Sequence, residues 1–225
     1  MLRPVRDNAL SILFFALFVL ALIGQSIAGY LENNERLVQH SQPPEAFLEF
    51  LTSSEFVVDV AENWQSEFLQ FFLFIAATIW LVQRGSPESK KPGDEGVGSD
   101  KEQKVGRYAD PESPDWAKRP GLPRLVFSNS LLLVMGAIFT LSWLAQSLAG
   151  TVVFNSEQAQ HGRPPIAWAE YLVTSDFWNR TLQNWQSEFL AVGAMIAFSI
   201  FLRQRGSSES KPVGVPHHVS AEESQ

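Results

Sequence analysis

Two polar sets interrupt otherwise apolar blocks of the 225-residue chain. Gln25-Ser26 and Ser66-Glu67 form one, Gln146-Ser147 and Ser187-Glu188 the other. Two lines of chemistry follow from these residue types. Glu67 can accept hydrogen bonds from Gln25 and Ser26 and pin two helices together, with Ala28 and Gly29 letting the backbones approach. Alternatively, two carboxylates in partly dry surroundings can hold raised pKa values and handle protons or ions. Pinning is the first expectation and ion handling the second.

A further set stands in loop regions. His40 and His161 are each followed by a Pro-Pro pair, and Glu49 and Glu170 lie a few residues on. Together they could form an acid/base or metal site only if both parts of the chain converged. Local hydrogen bonding or capping is the simpler expectation. His217-His218 near the end reads as solvated tail. No HExxH, GxSxG, phosphate loop or CxxC occurs, and the chain has no cysteine. No metal and no cofactor is expected. The formal charge of −7 argues against nucleic acid as a partner.

The elements that position these residues come from the apolar pattern. Residues 9–30 contain no charge, and about 20 apolar residues suffice to cross a bilayer as a helix. That helix is expected to continue through 31–39 until the Pro pair stops it. Pro44 suits the first turn of a short helix over 45–51, whose aromatics and acids suggest a position in the membrane interface. Ser53 or Ser54 then caps a long helix that passes Trp64, an interfacial anchor. Its apolar part is short, 68–82, and Gly85 is a natural stop. Measured along the helices, Gln25 lies roughly 24 Å from Ala9 and Glu67 roughly 22 Å from Val82, so the polar groups meet at one depth.

The whole pattern occurs twice. Adding 121 to any number from 8 to 90 gives the matching residue, and 37 of these 83 positions are identical. Asn63-Trp64-Gln65-Ser66-Glu67-Phe68-Leu69 recurs letter for letter as 184–190, which makes Trp185 the second interfacial anchor. Ser26-Ile27-Ala28 imitates a signal-peptidase site, but the same pattern recurs in mid-chain, where no signal belongs. The reading is a tandem duplication. Hairpin repeats occupy 1–86 and 124–211, joined by a disordered linker, 87–123, and followed by a disordered tail, 212–225.

Only Arg36, Arg163 and Arg180 of the 17 Lys and Arg fall in the two hairpin loops. The excess elsewhere predicts cytoplasmic termini and linker, with both loops facing outward. The expected fold is therefore all-α. It is a four-span transmembrane bundle of two parallel homologous hairpins, each with a short interfacial helix in its outward loop.

The repeated Gln-Ser-x-Ala-Gly, His-x-x-Pro-Pro, Asn-Trp-x-Ser-Glu-Phe-Leu and Arg-Gly-Ser-x-Glu-Ser-Lys blocks resemble a bacterial family of small membrane proteins known only as a domain of unknown function. The resemblance covers both repeats. It implies the bacterial inner membrane and brings no activity, ligand or catalytic residue. The functional expectation is a non-enzymatic structural or interaction component of the envelope. Its partners would be the lipid bilayer and other membrane proteins or further copies of itself. A small transporter using Glu67 and Glu188, and a membrane enzyme using the outward His and Glu residues, are the alternatives.

Overall fold

The computed structural model describes residues 3–220, so the last five residues of the expected tail lie outside the described part. Six helices carry the fold. They are α1 (Ala9–Gln39), α2 (Phe47–Phe50), α3 (Ser54–Trp80), α4 (Ser130–Gln160), α5 (Trp168–Tyr171) and α6 (Ser175–Phe201). No strand occurs among the described residues. The helices α4, α5 and α6 begin and end 121 residues after α1, α2 and α3, the offset of the sequence repeat.

Local chemistry explains most boundaries. The first helix runs unbroken past its apolar block to Gln39, as the sequence suggests. The short helix is shorter than expected and starts at Phe47, not beside Pro44. The Glu49 carboxylate sets that start by accepting a hydrogen bond from the Ala46 N–H at 3.0 Å. Ser53, not Ser54, caps α3, its hydroxyl accepting from the Phe56 N–H at 3.3 Å. Thr174 does the same for α6 through the Phe177 N–H at 3.2 Å. Helices α3 and α6 end before Gly85 and Gly206, at Trp80 and Phe201. A serine-closed turn follows each. Ser89 accepts from the Gln83 N–H at 2.7 Å, and Ser210 from the Gln204 N–H at 2.9 Å. Gly85 lies within the first of these turns at a φ of 87°, where an added Cβ would also collide with the His217 carbonyl.

Two helices, α1 and α4, are long and apolar enough to cross a membrane, with mean hydropathies of 2.4 and 1.8. The four-span expectation is thus met by two helices. The other two long helices carry acids along their first halves, including Asp59 and Glu62 in α3 and Asp176 in α6. Most large apolar side chains of α1 are uncovered, Leu10, Phe14, Phe15 and Leu20 each by more than 60%.

The chain divides into two compact units, Met1–Val60 with Ala145–Trp168, and Ala61–Leu144 with Ala169–Gln225. In the first, Val58, Ala149 and Val153 form the buried apolar cluster. Phe50 is 2% exposed and sits between Tyr30 and Phe56, its ring centroid 6.2 and 5.4 Å from theirs. Gly29 faces the Phe50 ring, where an added Cβ would come within 3.0 Å, so its smallness admits that ring. The elbow after each long helix is closed by a repeated asparagine. Asn34 donates to the Glu45 carbonyl at 3.1 Å and accepts from the Glu45 N–H at 2.7 Å. Asn155 makes the same pair with Ile166, at 3.0 and 2.8 Å.

In the second unit, the segment expected as a disordered linker contains turns, a 3₁₀ turn at Gly106–Tyr108 and a helix at Asp115–Lys118. Ion pairs Lys104–Asp110 (3.0 Å) and Arg124–Asp100 (3.5 Å) lie along it. The Lys211 ammonium, 2% exposed, donates to backbone carbonyls of Gly85, His217 and Val219, which holds residues 212–220 against the turn after α3. Burial pushes the Lys211 pKa down, and the nearby Arg203 charge adds to this.

The elbow makes a measurable contribution. Asn34→Ala removes the partner of one half-buried N–H and one half-buried carbonyl together, so it should cost about 1 kcal/mol or more of stability in denaturant titration of the detergent-solubilised protein. Asn155→Ala should cost a similar amount. A variant at either position that melts like wild type would show that the clamp contributes nothing.

Candidate functional site

The polar sets picked out in the sequence divide into buried and exposed members. Gln25, Glu67 and Ser187 are exposed, and Glu188 is half-buried. Ser26, Ser66, Gln146 and Ser147 are buried. The Ser26 hydroxyl, expected to serve Glu67, is used within its own helix, as are those of Ser66 and Ser187. Ser26 donates to the Leu22 carbonyl (2.8 Å), Ser66 to Asn63 (2.9 Å) and Ser187 to Asn184 (2.8 Å). A Ser on a helix has its own i−3 or i−4 carbonyl within reach, which competes with any partner on another helix. Ser147 instead accepts the Trp168 indole N–H at 3.1 Å. Gln146 is 1% exposed, and neither atom of its amide has a partner among the described residues. Glu188 lies within reach of the Glu67 charge.

The densest polar network is one the sequence reading passed over. Gln65, fully buried, accepts the Trp185 indole N–H at 2.8 Å and donates to the Glu62 carbonyl at 3.1 Å. The Glu62 carboxylate meets Arg180 at 3.5 Å, and Arg180 meets Asp176 at 3.4 Å. Asp176 accepts from the Tyr171 hydroxyl at 2.9 Å. Burial pushes the Tyr171 phenol well above its usual range, and the hydrogen bond to Asp176 adds to this. Trp143 stacks on Phe177 (6.1 Å) and packs against Trp178 and Trp185 at 6.3 and 6.0 Å. Of the two tryptophans expected as interfacial anchors, Trp185 is half-buried and Trp64 is 41% exposed. One signal was available beforehand: Gln65 belongs to the block that repeats without change. Its twin Gln186 is exposed, so the repeat alone could not tell which copy is used.

The loop residues behave locally. His40 donates from Nδ1 to the Arg36 carbonyl at 2.8 Å, and Glu49 caps its own short helix. Arg36 reaches Glu55 at 3.7 Å. Among the described residues no three His, Asp or Glu side chains are gathered to hold a metal ion, so His40, Glu49, His161 and Glu170 form no such centre. His217 donates to the Ile200 carbonyl at 3.1 Å.

At the serine-closed turns, the equivalent residues Glu88 and Glu209 meet. Burial raises the Glu88 pKa above its ordinary value, and the Glu209 carboxylate raises it further.

These features define a class: an all-helical protein with two helices fit to cross a membrane and a polar network packed among aromatic rings. The chain belongs to the family described as Domain of unknown function (DUF6766), which it matches over residues 1–222. No curated protein and no solved structure matches it.

Two outcomes test this geometry. Trp185→Phe keeps the ring packing but leaves Gln65 Oε1 buried without its donor, and should cost about 1–3 kcal/mol by denaturant titration. Gln65→Leu with Trp185→Phe, which removes both polar partners, should recover part of that loss. Glu88 holds its proton more tightly folded than unfolded. It therefore stabilises the fold below the unfolded carboxyl pKa, and that contribution is lost as pH rises through the raised value. Thermal melting of Glu88→Gln, followed from about pH 4 to about pH 7, should fall less steeply with pH than wild type. Parallel curves would remove the Glu88–Glu209 pair as the cause.

Proposed function

We propose that this chain is a four-span integral membrane protein, arisen by tandem duplication of a two-helix hairpin. It acts as a non-enzymatic structural or protein-interaction component of the bacterial inner membrane, with both termini and the linker cytoplasmic. The observation that carries this reading is the uncovered apolar surface of α1 and α4. A side chain of that kind left in water costs about 25 cal/mol for each Å² of apolar area, summed here over many residues. Lipid, or the apolar face of another membrane protein, removes that cost.

The apolar parts of α3 and α6, residues 68–80 and 189–201, extend roughly 20 Å. Such short spans are accommodated by local thinning of the bilayer and by flanking side chains that reach the interface. The distribution of Lys and Arg supports cytoplasmic termini. The short helices α2 and α5, with Phe47 and Trp168 exposed, suit the outer interface. The non-enzymatic reading draws on the network around Gln65 and Arg180, in which the one guanidinium is held between the Glu62 and Asp176 carboxylates as in a packed seam.

One observation favours a second reading. The Glu67 charge reaches Glu188, as in a proton- or ion-handling pair. Reconstituted wild-type protein should carry no pH-driven flux that Glu67→Gln with Glu188→Gln abolishes. Observing such a flux would favour the transporter. For the membrane arrangement, Ser41→Cys and Ser99→Cys should label from opposite sides of sealed inner-membrane vesicles. Labelling of both from one side would overturn the orientation, and recovery of the protein in the alkaline-soluble fraction would overturn the membrane reading itself.

A further inference from the structure

At the ends of α1 and α4 the first unit holds two clefts that share Arg36, Glu157 and Gln160. The offset of 121 relates their walls. Arg36 and Glu157 are equivalent positions, as are His40 and His161, and Gln42 and Arg163. The cleft on the His40–Gln42 side is closed to about 30 Å³, whereas the one on the His161–Arg163 side opens to about 400 Å³. The larger volume falls within the range of small-ligand sites.

Its side chains are suited to a ligand. The Arg163 guanidinium and the His161 ring make no hydrogen bond or ion pair among the described residues. Gln158 lines the same cleft, and its Oε1 is buried with no donor there. The Arg36 guanidinium is held in place by donating to the Asn33 side-chain Oδ1 at 2.9 Å and by Glu55 at 3.7 Å. The cleft thus offers guanidinium donors from Arg36 and Arg163 alongside acceptors from Glu157 and Gln158. Glu55 pairs with Arg36 from outside the cleft, and the lining sets the one negative charge of Glu157 against that of Arg163, so the site is close to neutral. A bare dianion would leave the acceptors opposed. A zwitterion matches both halves, its anionic group on the planar arginines and its N–H donors on the acceptors.

Depth points to the ligand's chemistry. Arg36 stands 27 residues after Ala9, roughly 40 Å along α1. The hydrocarbon core is about 30 Å thick and the bilayer about 40–45 Å with its headgroups. At an ordinary tilt of about 20°, a helix whose apolar block starts at Ala9 brings Arg36 to the opposite phosphate layer.

We propose that this cleft binds a phosphate–primary-ammonium zwitterion, the chemistry of a phosphoethanolamine headgroup. Phosphate lies against Arg36 and Arg163, and ammonium against Glu157 and Gln158 Oε1. The proposal rests on α1 and α4 spanning the membrane. A choline headgroup has no N–H to offer those acceptors, and a glycerol headgroup has no cation.

The test uses the full chain in nanodiscs of phosphatidylcholine doped with equal small amounts of phosphatidylethanolamine and phosphatidylglycerol. Bound lipid is read by native mass spectrometry. Wild type should retain the ethanolamine lipid about tenfold over either other lipid. Arg163→Gln, which copies the closed side, and Glu157→Gln should each reduce that preference about tenfold. Both positions are exposed, so an unchanged melting temperature is expected and separates lost binding from lost fold. Competition by millimolar O-phosphoethanolamine, with no lipid retained, would assign the same site to a soluble zwitterion. Equal retention of the glycerol lipid, or a preference unmoved by both substitutions, would overturn the proposal. Failure to insert into nanodiscs at all would instead count against the membrane reading.

Discussion

Helix α1 satisfies its backbone hydrogen bonds internally along 31 residues while leaving nearly all of its apolar side chains uncovered. The described chain holds only a few buried apolar residues, such as Phe50, Val58 and Phe177, which is too small a core to absorb that surface. Apolar burial against something outside the chain is therefore the constraint on which the rest depends. It accounts for where the polar chemistry sits. Every ion pair and clamp described above lies outside the charge-free stretch of α1: at the elbows, around the first halves of α3 and α6, along residues 100–124, or at the turns after the second helices. There carbonyls, indoles and guanidiniums can be matched without facing a hydrocarbon-like environment.

The two copies of the pattern have kept their joints and changed their contents. Both elbows close on an asparagine, both long second helices are capped by a hydroxyl, and both end in a serine-closed turn. The aromatic pair Phe50–Phe56 is matched by Tyr171–Phe177, at 5.4 and 5.6 Å. Between the joints the copies differ in charge and size. Leu22 corresponds to Trp143, which stacks at the centre of the second unit's aromatic cluster. Gln42 corresponds to Arg163, and only the arginine side has an open cleft. Repeated backbone geometry thus supplies a frame, and substitutions at equivalent positions make the two sides do different things.

Charge follows the same logic. Arg36 and Arg180 each lie beside an acid at the start of a long helix, Glu55 and Asp176, which are equivalent positions. Arg180 is also tied to Glu62, so it joins two helices through a pair of carboxylates. Arg180 is half-buried, so its two carboxylate partners offset the loss of water around its guanidinium. Tyr171 extends the set, its hydroxyl fixed by Asp176 and its ring by Phe177.

What the sequence determined by itself is local or periodic. The long first helices, the Pro-Pro elbows, the hydroxyl caps and the offset of 121 are all written in residues within a few positions of where they act. Helical hydrogen bonds and caps close over three or four residues, so no distant partner is needed to predict them. The tertiary structure decided which polar side chains meet. The sequence suggested Glu67 with Gln25 and Ser26, but a helical serine reaches its own carbonyls first, and Ser26 does so, as do Ser66 and Ser187. Gln65 finds Trp185 across 120 residues of chain, while its identical twin Gln186 lies exposed. Identical local sequence cannot distinguish those two glutamines. Only the packing of one helix face against another does, and that depends on every side chain along both.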